Sequence, residues 1–241
     1  MTTITPRRPV SELATHETHP PGFAHQFEDM HQQRDAGNLG MWVFLITEIM
    51  FFGGMFASYA VYRALHLQAF EIGSRLLDVR FGAANTVVLI ASSLTMALAI
   101  RAAQTGKSKG QVIFYLILTM ILGAAFLGIK FTYEWRHDYI EHLVPGVDFS
   151  YRPEWGNLGP TIQMFFCFYF FMTGLHALHM VVGIGILTVL VIMAARGRFS
   201  AEYHTPLEVS GLYWHFVDIV WIYLFPLLYL IGGRYLIAGG H

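Results

Sequence analysis

The sequence predicts an all-α fold, a polytopic membrane helical bundle with five transmembrane helices, and two observations carry that expectation. Of 241 residues, 55 % are hydrophobic and only 13 % charged, with a mean hydropathy of +0.48, whereas a soluble domain carries about 25 % charged residues. The apolar residues gather into five segments, and each supplies the roughly 20 residues needed to cross about 30 Å of hydrocarbon. The same composition excludes other classes. With 15 Lys and Arg against 16 Asp and Glu, there is no basic excess for phosphates and nucleic acid is not an expected partner. The single cysteine, Cys167, excludes an internal disulfide framework, a CxxC redox pair and any site needing two thiolates from this chain. Electrons, if they move, need another chain to carry them.

Residues 1–38 hold five acidic residues, four histidines and the proline-containing runs PRRP and HPP without an apolar stretch, and so read as a polar N-terminal tail outside the bilayer. Arg7 and Arg8 are not followed by the apolar core of a secretory signal, so the first span serves as the insertion signal. Residues 39–241 then form the five-helix transmembrane domain, with spans at about 39–63, 81–100, 112–131, 162–195 and 213–237. No charge or proline interrupts the fourth, whose only candidate turn residues, Gly183 and Gly185, lie inside an apolar run. It reads as one helix of roughly 50 Å that must tilt or protrude. Pro226 in the fifth kinks that helix or relieves it of one hydrogen bond. No fixed-period repeat or low-complexity tract is present.

Orientation follows from Lys and Arg near the helix ends. The total count is nearly even, eight on one side and seven on the other. The short loop 101–111 decides, carrying Arg101, Lys107 and Lys109 without an acid, whereas the loop 132–161 sets Arg136 and Arg152 against five acids. The N-terminus is thus expected inside and the C-terminus outside.

A few ionisable residues lie where hydrocarbon does not tolerate them freely. Glu48, in FLITEIMFF, is mid-span, where a charged carboxylate costs about 3 kcal/mol on insertion scales. It shares a helical face with Phe44, Leu45, Phe51 and Phe52, and two readings stand: a carboxyl that handles protons or pairs helices, or a neutral one bonded to a neighbour. His176 and His179, in GLHALH, lie three apart on one face of the fourth span. A metal or haem site would need more ligands than they supply, and hydrogen bonds across helices or to Glu48 are the simpler reading. In the fifth span Trp214, His215, Asp218 and Trp221 share a face, with His215 near the helix start and Asp218 about a turn and a half in, within reach of water, a Trp N–H or His215. Fixing the helix against a partner fits them better than catalysis, because no nucleophile accompanies them. Trp221 and Tyr223 read equally as lipid-facing aromatics. The stretch KFTYEWRHDYIEHL after the third span reads as a solvated helix end, with Glu134 and Arg136 too close to face each other. Gly53, Gly54 and Gly183 give a weak helix-packing signal. Phosphate-binding, dinucleotide and hydrolase motifs are absent.

The segment YWHFVDIVWIYLF resembles the C-terminal signature of cytochrome c oxidase subunit III in the haem-copper oxidase superfamily. Three further segments resemble the family's in its order: WVFLITEIMFFGGMFASY, FTYEW and TGLHALHMVVG. The resemblance covers about residues 38–237 and implies a non-catalytic subunit of a proton-translocating oxidoreductase, without a redox centre of its own. It further implies that haems and copper reside in partner subunits I and II, that subunit III supports subunit I and its proton uptake, and that phospholipid binds. Glu48 matches the family's buried carboxyl, and His176, His179, His215 and Asp218 match recurring polar positions of its last two helices. The partners so implied are subunits I and II, a small subunit IV, membrane lipids, a larger respiratory supercomplex and cytochrome c as donor to the complex. The seven-helix mitochondrial form has two helices that this chain lacks. It resembles the five-helix bacterial form, which implies a bacterial plasma membrane, a cytoplasmic N-terminus and a periplasmic C-terminus. The lost pair also removes one wall of the lipid cleft. Alternatives with the same architecture are subunit III of a quinol oxidase and an accessory protein of nitric oxide reductase. A stand-alone proton-coupled transporter would call for inverted repeats or broken helices, and neither is visible.

Overall fold

The computed structural model describes residues 30–146, 149–199 and 203–232. Its helices are α1 (Met30–Leu65), α2 (Leu67–Leu76), α3 (Val79–Gln104), α4 (Lys109–Ile129), α5 (Arg136–Ile140), α6 (Gly159–Ala195) and α7 (Thr205–Tyr229). A π turn, Lys130–Trp135, joins α4 to α5 without a break, and a 3-10 turn, Pro153–Leu158, leads into α6. No strand occurs among the described residues, and five of the helical stretches are long and apolar enough to cross a membrane. The chain is an integral membrane protein with an all-α fold.

Four helices close a ring: α3 packs on α4, α4 on α6, α6 on α7, and α7 back on α3. The fifth long helix, α1, lies outside the ring, chiefly against α7. Its exposed apolar residues, among them Trp42, Ile46, Ile49 and Met50, face outward as lipid-facing or partner-facing groups do in a bilayer. Helix α7 is the most buried of the five long helices, because it touches α1, α3 and α6.

The packing is set by glycines that admit aromatic rings. A Cβ at Gly123 of α4 would come within 2.8 Å of Trp214, and one at Gly183 of α6 within 2.9 Å of the same indole. Trp214 therefore sits between two helices that approach only because both lack a side chain there. Gly53 and Gly54, by contrast, have nothing within 4 Å, so the glycine signal is structural at Gly183 and absent from this chain's own packing at the other two.

Three element boundaries differ from the sequence expectation. Helix α1 is already formed at Met30, the first described residue, nine residues before the apolar boundary at Leu39, and HQQRDAGN, which contains no proline, continues it as just over two polar turns. The tail expected over 1–38 otherwise lies outside the described residues. Helix α2 leaves no 20-residue apolar run in the sequence, because it has 10 residues and buries only one face, Ala69, Phe70, Gly73 and Ser74. Helix α7 starts at Thr205 rather than Tyr213. Pro206 near its start supplies a pre-set φ where a missing N–H does no harm, so the polar residues TPLEVSG form its first two turns. His215 and Asp218 move accordingly from near the helix start to its middle. Pro226 lies in the last turn, and the fourth span is one helix of 37 residues, as its unbroken apolar run predicts.

Candidate functional site

Two polar clusters occupy the apolar body. The first joins α1 to α6. Glu48 projects from α1 toward His179 of α6, with 3.2 Å between the carboxylate Oε2 and imidazole Nε2. The other ring nitrogen, Nδ1, lies 2.8 Å from the carbonyl of Leu175. A carbonyl can only accept, so Nδ1 carries the hydrogen, and Nε2 meets Glu48 either as a bare lone pair or as a second N–H. In the first case Glu48 holds the proton, and in the second His179 does. One proton between two groups keeps the pair neutral overall in either arrangement, which is the condition for its place in the membrane. Phe52 stands against the imidazole with ring centroids 5.3 Å apart, and Tyr213 of α7 donates to the backbone carbonyl of His179 at 2.9 Å. The pair opens into a cleft of about 350 Å³, otherwise mostly apolar, between α1, α6 and α7, with Phe44, Leu178 and Val182 in its walls.

The second cluster was read from sequence as a solvated helix end, and the structure corrects that. Lys130, Glu134 and Asp138 are 1 %, 6 % and 3 % exposed. Glu134 pairs with Lys130 one turn earlier, whereas Arg136 points away and is exposed. Lys130 Nζ also donates to Tyr169 of α6 at 3.0 Å and to Tyr229 of α7 at 2.6 Å. An ammonium has three N–H groups, and all three are used. Nζ lies 4.7, 5.2 and 5.3 Å from the ring centroids of Tyr169, Trp221 and Tyr229, so aromatic faces add to its stabilisation. Tyr229 and, at 3.2 Å, Tyr169 donate onward to Glu134 Oε2. Asn85 of α3 reaches Oε1 with a long bond of 3.5 Å. The ion pair thus ties α3, α6 and α7 to the end of α4. A spacing of Lys130, Glu134 and Asp138 at i, i+4 and i+8 was the available signal for this stripe.

The remaining sequence candidates are placed separately. His176 and His179 do not act as a pair: His176 is buried between Phe126 and Trp221, at 5.4 and 5.2 Å between centroids, and neither of its ring nitrogens has a hydrogen-bond partner. His215 takes Ser93 of α3 at 2.6 Å through Nδ1. Trp214 donates to Ser92 at 2.9 Å and Trp221 to Thr86 at 3.1 Å. The Trp N–H groups and His215 expected to satisfy Asp218 are therefore engaged with α3 hydroxyls. Asp218 is buried with no hydrogen bond to either oxygen. Trp221 is fully buried and not lipid-facing, while Tyr223 is exposed. No group of three or more His, Cys, Asp or Glu side chains among the described residues converges as a metal site would require.

These arrangements bear on what the chain is similar to. Residues 158–233, which hold α6 and α7 and hence His176, His179, His215 and Asp218, match the family described as cytochrome c oxidase subunit III. A cytochrome bo(3) ubiquinol oxidase subunit 3 from Pseudomonas aeruginosa is 34 % identical over 207 residues, 84 % of this chain and 89 % of that protein. A cytochrome c oxidase subunit 3 from Thermostichus vulcanus is 32 % identical, over 87 % of this chain and 94 % of that protein. A quinol oxidase subunit 3 from Bacillus subtilis is 28 % identical, over 84 % and 92 % respectively.

Proposed function

The chain belongs to the cytochrome c oxidase subunit III family of haem-copper terminal oxidases, and from that premise we propose that it is the non-redox third subunit of a respiratory oxidase. In this reading it stabilises the catalytic subunit I and supports proton uptake during oxygen reduction in aerobic electron transport. The observation that carries the reading is the Glu48–His179 pair, which joins α1 to α6 at the edge of an open, mostly apolar cleft. An ionisable pair costs free energy to bury, and this one faces a cleft instead of closing on a ring of donors as the Lys130–Glu134 pair does, which supports a proton-handling role for it.

Haems and copper are assigned to subunits I and II. In this chain His176 is enclosed by aromatic rings, and His179 and His215 serve Glu48 and Ser93 on separate helices. A phospholipid chain fits the apolar cleft beside Glu48. The chain is placed in a bacterial plasma membrane with a cytoplasmic N-terminus, in contact with subunits I and II, a small subunit IV and a larger respiratory assembly. Cytochrome c is the proposed donor to the complex. The second reading is a quinol donor, favoured by the ubiquinol and quinol oxidases among the relatives. The neighbouring subunit II separates the two, since copper-binding cysteines and histidines there go with cytochrome c.

The test is purification from native membranes in mild detergent. Co-purification with haem proteins supports the reading, and recovery of the chain alone overturns it. In the purified complex, Glu48→Gln is expected to leave haem spectra intact and lower steady-state turnover by no more than a few-fold. Loss of the haem spectrum from assembled Glu48→Gln enzyme contradicts a non-redox role.

A further inference from the structure

At the end of α4 one buried carboxyl is left over once the Lys130–Glu134 pair is accounted for. That pair is neutral as a unit, and its hydrogen bonds close on themselves through Tyr169 and Tyr229. Asp138, the next turn along the same helix, is buried with its Oδ2 lacking any hydrogen-bond partner. As a carboxylate it would be a buried charge with one oxygen unbonded, a cost that one proton removes.

Asp138 is buried but not sealed off. It lines a cavity of about 220 Å³ together with Asp78, Glu134, His137 and Tyr169. That is far more than the volume of a single water, and it offers the polar partners that ordered water requires. A second cavity of about 470 Å³ shares Leu77, Asp78 and His137 with the first and is lined further out by Arg75, Arg80, Glu141 and Arg152. Its polar walls are those of a water-filled cleft at the bundle end.

We propose that Asp138 is a proton-exchange site, which trades a proton with water in the inner cavity and, past Asp78 and His137, which line both cavities, with the charged outer cleft. The step balances: the carboxylic acid and a water give a carboxylate and a hydronium ion, the reverse returns the proton, and no electron moves. The groups that set its balance are Lys130, Glu134 and His137 on its own helical stretch, Asp78 ahead of α3, Tyr169 on α6 and Tyr229 on α7. Lys130 is not the exchanging group, because each of its three N–H donors is held. Glu134 is shielded likewise at Oε2. The site lies on α5, apart from Glu48 and His179, and the inference does not depend on which electron donor serves the complex.

The test is infrared spectroscopy of the complex containing the full chain, with aspartate labelled by 13C at the side-chain carboxyl. The expected result is an aspartic acid C=O band that shifts promptly when D2O replaces water, disappears in Asp138→Asn and persists in Asp218→Asn, the other buried aspartate variant. Asp78→Asn at the mouth of the inner cavity is expected to keep the band and slow its exchange several-fold. Absence of a promptly exchanging aspartic acid band in the labelled complex overturns the proposal, as does its survival in Asp138→Asn. If Asp138→Asn does not assemble, Asp218→Asn decides on folded material, since loss of the band there assigns it to Asp218. An unchanged exchange rate in Asp78→Asn overturns the route.

Discussion

Lys130 shows how a full positive charge survives inside an apolar bundle. Three oxygens, from Glu134, Tyr169 and Tyr229, meet its three N–H groups. Removing one member of such a pair strands the other. Lys130→Met is therefore expected to destabilise the chain by roughly 3–5 kcal/mol, because Glu134 is left buried and unpaired. Adding Glu134→Gln should recover most of that loss, and the thermal midpoint of the purified complex measures both. Trp214 poses a different constraint, one of space. Gly183→Ala would press a methyl group into the indole at 2.9 Å, and overpacking of this kind costs about 1–3 kcal/mol. The same thermal assay would show it, with Gly53→Ala, which meets nothing within 4 Å, as the unaffected comparison. At this scale the sequence is informative about which residues are unusual, Glu48 and Asp218 above all, and about an imidazole as the partner of Glu48, but not about the surroundings of Asp218. Nothing in a one-dimensional reading tells that His215 takes Ser93 while Asp218 is left unbonded.

The π turn explains why one polar stripe escaped a helical reading. At about 100° per residue, Lys130 and Asp138 in an unbroken α-helix would diverge by about 80° around the axis. A π turn accommodates one extra residue, which brings the two to within about 20° and sets both against α6. The sequence carries no marker for that insertion, so the segment KFTYEWRHDYIEHL looked like a charged end facing water. Helices with strong apolar character were legible instead: the long α6, interrupted by no charge, forms one helix over Gly159–Ala195. The end of α7 is held by a neighbour. Tyr59 of α1 donates to the carbonyl of Leu227 at 2.8 Å, satisfying one of the acceptors that a helix leaves open in its last turn. Tyr59→Phe should lower stability by about 1 kcal/mol and loosen α1 from α7, to be read as faster amide exchange in the last turn of α7.

As a whole, the molecule is a closed ring of α3, α4, α6 and α7 with α1 set beside it. The number of crossings and their all-α character were legible in composition and apolar run length, since hydrocarbon imposes the same length on every span. The ring was not, because the five apolar runs are chemically alike and no pattern along any one of them names its neighbour. The amphipathic α2, too short to span, clasps the far end of the bundle: Arg75 reaches the carbonyl of Gly232 at 2.7 Å and Ser74 accepts from its N–H at 3.3 Å. At the opposite end of the bundle the starts of α1 and α7 are joined to the end of α3, where Arg34 meets Glu208 at 3.2 Å and Gln104 bonds the same carboxylate at 2.7 Å.

The position of α1 has a consequence in time. It is synthesised before its main partner, α7, and before His179, which neutralises Glu48 and arrives only with α6. During synthesis the first helix must wait in the bilayer with an unmatched carboxyl for most of the chain's production, exposed to whatever helix passes. A stop codon or a slow insertion step before α7 would leave α1 without its main partner, an adhesive fragment in the bilayer.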